Sequence, residues 1–398
     1  MTALIAYVYQ DYSRFLQRQS HHMKKLFRRL IKIAVATLAI VVSFVFAISL
    51  FVKFAPQFGA QPEGAYLEKI RASRHYQNGQ FVNLVETKMD YSCSNIANMT
   101  RDFLTVSDIG PTDPLPVKFE AETERSAVDT PAFVTWYGHS AFLIEMEGKR
   151  LLLDPMFGPA ASPVSFITRR YSYERPIDLD QFTDIDAVII SHDHYDHLDY
   201  SSITKLEPHV GHFFVPLGVG SHLRHWGVSE DKITELGWWE SADLDHLTFV
   251  ATPARHFSGR AITDNKKTQW ASWVLKGRHN NLYFSGDSGY AGHFKEIGEK
   301  YGPFDLTMLE CGQYNTNWEA IHMMPEQSAQ ASMDLRGKVM MPIHWGAFDL
   351  ALHEWREPVI RLLATAEKHD IQVVTPYIGE RFAVGQNFPR EKWWETLN

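Results

Sequence analysis

Cysteine is scarce in this chain and positive charge is in deficit. Its 398 residues include two cysteines, Cys93 and Cys311, with no C-x-x-C. That spacing excludes a thiolate zinc cluster and a disulfide framework; the two could pair in an oxidising compartment or stay as separate buried thiols. A metal would have to be held by histidine and carboxylate. Lysine and arginine number 39 against 47 aspartates and glutamates, a net charge of -8 that argues against a nucleic-acid partner. Internal repeats and low-complexity tracts are absent. Charge vanishes from one stretch, IAVATLAIVVSFVFAISLFV at 33–52, which is 20 residues long.

As a helix rising about 1.5 Å per residue, that stretch spans about 30 Å, the thickness of a hydrocarbon core. A cleaved signal peptide has a shorter apolar region, and a buried core helix rarely goes so far without a polar face. Residues 1–32 carry seven basic side chains and one acid, Asp11, whereas 53–75 carry four basic and two acidic groups. The positive-inside rule therefore predicts a short basic cytoplasmic tail (1–32) and a single transmembrane helix (33–52). The remaining chain is then expected in the periplasm or outside the cell. Residues 53–120, with APQFGAQPEG and GPTDPLPVK, read as a linker and N-terminal extension, and 121–398 as the main domain.

From about residue 131 the texture changes to short apolar runs cut by turns, with helical candidates at 289–300 and 326–336. Strands interleaved with helices predict an α/β domain. One nine-residue stretch, SHDHYDHLD at 191–199, holds three histidines and three aspartates. It follows the apolar run AVII. LTFV leads to His256, NLYF to Asp287, and VMMPI directly to His344. Four strand-like segments thus deliver metal-ligating side chains at their C-terminal ends, where α/β folds gather functional groups. In an extended loop His192 and His194 project to one side, while Asp196 and His197 can turn to a second centre. With His256, Asp287 and His344 that makes five imidazoles and two carboxylates, enough for two ions sharing an aspartate and a hydroxide. Nitrogen and oxygen donors without thiolate suit Zn²⁺, with Mn²⁺ or Fe as alternatives. The bland alternative is a solvated acidic loop with scattered core histidines.

H-x-H-x-D-H followed by separate His, Asp and His residues resembles the metallo-β-lactamase superfamily. The stretches TWYGHSAFLIE, LLLDPMF, IDAVIISHDHYDHLDY, FSGDSGY and IHWGAFDLALHEWREP are similar to its N-acylphosphatidylethanolamine-hydrolysing phospholipase D group. The resemblance covers roughly residues 125–385 and keeps motif order throughout. It implies a four-layer αββα sandwich over 121–398 acting as a hydrolase domain. It also implies one metal on His192, His194 and His256, a second on Asp196, His197 and His344, and Asp287 bridging them. Asp154 matches a carboxylate that orients a ligand, and His322 a histidine near the scissile phosphate. The expected activity is phosphodiester hydrolysis of a phospholipid by two zinc ions, with the N-terminal helix as membrane partner. The alternatives are a lactonase or phosphoesterase for a small soluble substrate, and a membrane-tethered binding protein on a dead hydrolase fold. The sequence leaves the oligomeric state open, a homodimer among the options. His139, in YGHS, reads as support for the first hairpin's turn. Trp238–Trp239 and Trp393–Trp394 read as core or lid packing.

Overall fold

The computed structural model describes residues 2–88, 92–106, 109–119, 125–261 and 263–397. The chain divides into two compact units, Met1–Ala55 and Pro56–Asn398. The first unit is a single helix, α1 (Thr2–Phe54), of 53 residues. No glycine or proline interrupts it, and Pro56 lies just beyond its end. Its segment Tyr7–Phe54 is long and apolar enough to cross a membrane, and its most apolar window has no buried residues. The basic tail and the uncharged run therefore share one continuous element.

The second unit begins with α2 (Gly64–Arg71), a hairpin of β1 (Tyr76–Gln77) and β2 (Gln80–Phe81), and α3 (Cys93–Thr105). Ile70, Phe81, Leu115 and Val117, from the stretch read as linker and extension, are buried in the main core. Two sheets follow. The strands of the first are β3 (Phe133–Trp136), β4 (Phe142–Met146), β5 (Lys149–Leu153), β6 (Ile185–Ile189), β7 (Val210–Pro216) and β8 (Ile233–Leu236). The second holds β9 (Ser241–Leu244), β10 (Leu247–Thr252), β11 (Ser272–Lys276), β12 (Asn281–Phe284), β13 (Leu306–Glu310) and β14 (Met340–Ile343). The chain then returns to the first sheet with β15 (Arg381–Ala383), giving the order β15-β3-β4-β5-β6-β7-β8 beside β14-β13-β12-β11-β10-β9. Strands β5 to β8 run parallel, as do β12 to β14.

Period-two alternation splits the first sheet's side chains between two cores. Phe142, Ile144, Leu151, Leu153, Ala187 and Ile189 face the second sheet. Leu143, Leu152, Val188 and Ile190 point the other way, toward Ile203 and Leu206 of α4 (Tyr200–Leu206) and Leu223 of α5 (Gly220–His225). This burial on both faces explains why LLL and AVII read as unbroken apolar runs. On the far side, α6 (His293–Tyr301), α7 (Pro325–Asp334) and α8 (Glu357–Lys368) pack in succession, with α7 against β13. The layers are helix, sheet, sheet, helix: the αββα sandwich expected.

Aromatic rings close the core beneath β14. Trp345 stacks on Trp136 and on Trp393, each at 5.4 Å between centroids. Trp238, Trp393 and Trp394 are buried, while Trp239 is half-buried against Tyr301. Cys311 is a free buried thiol; the Cys93 side chain lies outside the described residues.

Candidate active site

The candidate metal ligands lie on the segments that follow the C-terminal ends of strands, whereas His322 sits in the turns just before α7. The nine-residue loop follows β6, and its acidic residues have three separate fates. Asp199 caps α4, accepting from the Ser202 amide. Asp193 turns away and accepts from the Gly259 amide (2.7 Å), Thr268 Oγ1 (2.7 Å) and His222 Nε2 (3.1 Å). Only Asp196 turns inward with the histidines. The loop's shape is held by Arg260, whose buried guanidinium has no carboxylate partner among the described residues. Its guanidinium donates to the carbonyls of Asp193 (2.6 Å), Leu198 (2.7 Å) and Gln57 (2.8 and 2.9 Å), and lies over the Tyr195 ring.

Two donor sets converge. In one, His194 Nδ1 is 2.9 Å from His192 Nε2 and 3.2 Å from His256 Nε2. In the other, Asp196 Oδ2 is 2.8 Å from His139 Nε2, 3.1 Å from His344 Nε2 and 3.3 Å from His197 Nε2. Asp287 Oδ2 lies between them, 3.7 Å from both His192 Nε2 and His256 Nε2, and 3.2 and 3.3 Å from those of His197 and His344. Asp287 gets there because β12 ends in a turn at Gly286, whose φ is +53°. A Cβ at that position would sit 2.5 Å from Ser191 Cβ, so the turn passes the loop closely only as glycine.

The backs of the rings are fixed by hydrogen bonds. His197 Nδ1 donates to Asp154 Oδ2 at 2.7 Å, and His256 Nδ1 to the Ile321 carbonyl at 3.0 Å. Ser191 Oγ gives its proton to Asp154 Oδ2 (2.5 Å) and accepts from His192 Nδ1 (2.9 Å). Each of these rings therefore turns its Nε2 inward. Burial pushes His192 and His256 well below the usual histidine range, and His139 down to about 3, favouring the neutral ligand form. Although burial opposes its charge, Asp196 is held well below the carboxylate range by His197 and His139.

Lone pairs aimed at one another across about 3 Å repel unless a cation lies among them. Asp287 Oδ1 is buried with no hydrogen-bond partner among the described residues, and the facing atoms given above are 2.8–3.7 Å apart. An ion about 2.1 Å from each ligand can join atoms up to about 4.2 Å apart. These residues fit metal.

The structure brings together His192, His194, Asp196, His197, His256, Asp287 and His344. It places Asp154 directly behind them, and His322 beside them with its ring 5.0 Å from that of His256 and 5.2 Å from that of His344. Sequence reasoning missed two participants. His139 does shape a turn, with φ +55° and a bridge to Trp345, yet its side chain also reaches Asp196. Glu310, the last residue of β13, accepts from His322 Nδ1 at 2.7 Å. Both sit at strand ends, the same signal that marked the others. Beside the first donor set, Phe257 packs on His194 at 4.6 Å and joins an apolar cluster of Trp318, Ile321, Ala351 and Met99.

Comparison with known proteins gives four results. A family model described as the beta-lactamase superfamily domain matches residues 149–345. An uncharacterised protein of Mycobacterium tuberculosis is 41% identical over 355 residues, covering 83% of this chain and 91% of the relative. The N-acyl-phosphatidylethanolamine-hydrolyzing phospholipase D 1 of Caenorhabditis elegans is 33% identical over 266 residues, 62% of this chain and 74% of the relative. Among solved structures, a metallo hydrolase from Ignicoccus hospitalis superimposes with a TM-score of 0.51 at 23% identity, over 64% of this chain and 98% of its own.

Proposed function

The chain belongs to the metallo-β-lactamase superfamily and is a metal-dependent hydrolase; on that premise we propose phospholipase D-type cleavage of a phospholipid phosphodiester. The observation that carries the reading is Asp287 Oδ2, set between two imidazole groups at 3.2–3.7 Å. His192, His194 and His256 would hold one ion, and Asp196, His197 and His344 the other, with Asp287 shared. Zinc suits these donors, and metal analysis decides between it and manganese or iron. When bound, two such ions supply Lewis acidity to phosphoryl oxygens and draw the pKa of water at the site toward 7.

The protein's own groups do the rest. Asp154 and Ser191 keep His197 and His192 in the tautomers that present Nε2. His139 Nε2, 2.8 Å from Asp196 Oδ2, holds that carboxylate in place. His322, outside the two donor sets, takes the proton of the attacking water and passes it to the leaving oxygen as the phosphorus–oxygen bond breaks. The apolar patch around Phe257 and Trp318 offers a surface for an acyl chain. The substrate class is supported by the named Caenorhabditis elegans relative and by α1, whose uncharged run we read as a membrane span. Seven basic side chains in 1–32 place that tail in the cytoplasm on this reading, and the hydrolase domain across the membrane.

The test is metal stoichiometry on the purified protein together with release of phosphatidic acid from N-acylphosphatidylethanolamine, before and after chelation. About two ions per chain and chelator-sensitive release are expected. Two ions without release would overturn the substrate and point to soluble phosphoesters or lactones. No metal and no turnover would overturn the site and favour a binding protein.

A further inference from the structure

Glu310 is fully buried, and each of its oxygens has a separate task. Oε1 accepts two backbone amides, from Ser288 at 2.7 Å and Met323 at 3.2 Å. Oε2 accepts from His322 Nδ1 at 2.7 Å and stands 3.4 Å from His344 Nδ1. The carboxylate therefore cannot rotate without stranding two amide donors, and its second oxygen is aimed at the backs of two rings at once. Asp287, Glu310, His322 and His344 also lie within 4.8 Å of one another, as a cation site would require. That reading fails on shared members. Asp287 Oδ2 and His344 Nε2 already face the donor sets described above, and Glu310 Oε1 is occupied by amides.

We propose that Glu310 is a positioning residue that sets which nitrogen of His322 is open to the reaction. A carboxylate only accepts, so the contact fixes the proton on Nδ1 and leaves Nε2 as the lone-pair nitrogen. The same oxygen faces the back of the His344 ring at 3.4 Å without hydrogen-bonding to it, so the ring it holds is that of His322. This rests on the proton-carrying role given to His322 above.

Glu310→Gln tests it sharply. The two amides force the glutamine carbonyl to take the place of Oε1, because its NH₂ would otherwise meet two N–H donors. The NH₂ then faces His322 Nδ1, which must become the acceptor, and the tautomer inverts to Nε2–H. Imidazole ¹⁵N NMR of the metal-loaded protein reads this directly, with His322→Ala identifying the signal. The expected result is Nδ1–H in the wild type, Nε2–H in Glu310→Gln, and equal metal content. With substrate, kcat should fall about 100-fold at unchanged KM, within the usual range for a displaced acid–base group. An unaltered tautomer overturns the proposal. Loss of metal would make Glu310 a ligand and overturn it too, as would an unchanged kcat. The tautomer and the metal content need no substrate. A wild type that fails to release phosphatidic acid while Glu310→Gln inverts the tautomer would therefore sink the phospholipid reading alone. If the variant is too unstable to study, an Nε2–H tautomer in the wild type suffices to refute the assignment.

Discussion

Asp287 shows how much can hang on a single oxygen. Its Oδ2 lies within 3.7 Å of Nε2 atoms from both donor sets, and Oδ1 has no hydrogen-bond partner among the described residues. Asp287→Asn keeps the shape and removes the charge shared between the two ions. Metal content should fall below that of the wild type, and turnover by at least the roughly 100-fold known for lost supporting groups at metal sites. Metal analysis and a hydrolysis assay on one preparation check this, and a variant normal in both would defeat the shared geometry. A second residue makes a pH prediction away from the ligands. His293, at the start of α6, is buried against Ser288 Oγ, and burial with nearby Arg255 lowers its pKa from 6.5 to about 3. The unfolded chain takes up this proton first. The residue's contribution is therefore complete above pH 6.5 and is lost as pH falls from 6.5 toward 3. One proton corresponds to a slope of at most about 1.4 kcal/mol per pH unit. Urea unfolding of the wild type and His293→Gln at pH 7, 5 and 4 should give a shallower decline for the variant; parallel declines would refute the shift.

At the scale of elements, the site is a property of strand ends, and packing beneath one strand keeps its ligand in place. His344 follows β14 directly, and its neighbour Trp345 is pinned by Trp393 from the short turn Trp393–Thr396. Trp393 also stacks on Tyr377 at 5.9 Å and on Trp355 at 6.1 Å. Trp393→Ala should cost about 3–5 kcal/mol, the range for a large buried aromatic truncated to alanine. Denaturant titration measures it, and a loss under about 1 kcal/mol would show the turn to be peripheral. The strand-end rule explains what was legible in the sequence. AVII, LTFV, NLYF and VMMPI pointed to His192, His256, Asp287 and His344 because apolar runs mark strands and the polar residue after each must emerge at an edge. The same rule covered Glu310 after LTML and His139 after FVTW, but a single Glu or His carries no metal spacing of its own. Local pattern could not separate Asp193 from Asp196 either. Their difference depends on Thr268 and His222, distant residues that claim one carboxylate and leave the other. The aromatic packing of Trp393 likewise depends on partners far along the chain.

For the whole molecule, metal and fold are linked. A cation that binds the folded donor sets and not the unfolded chain stabilises the fold by mass action. Zinc at a hundredfold excess over its dissociation constant should add about 2.7 kcal/mol to the folded state. Thermal denaturation with and without chelator should show a lower midpoint in the chelated protein, and coincident curves would speak against binding. Proteolysis gives the Arg260 contacts a practical meaning. Two of the guanidinium's bonds end on the Gln57 carbonyl and two on the loop that carries His192 and His194. A protease that trims the chain as far as Ala55 would shed the whole of α1 and release the second unit with those bonds intact. One that trims past Gln57 would strip a buried cation of two of its four hydrogen bonds. The first cut leaves the loop's support whole and the second leaves it weakened, with a single peptide bond or two deciding which.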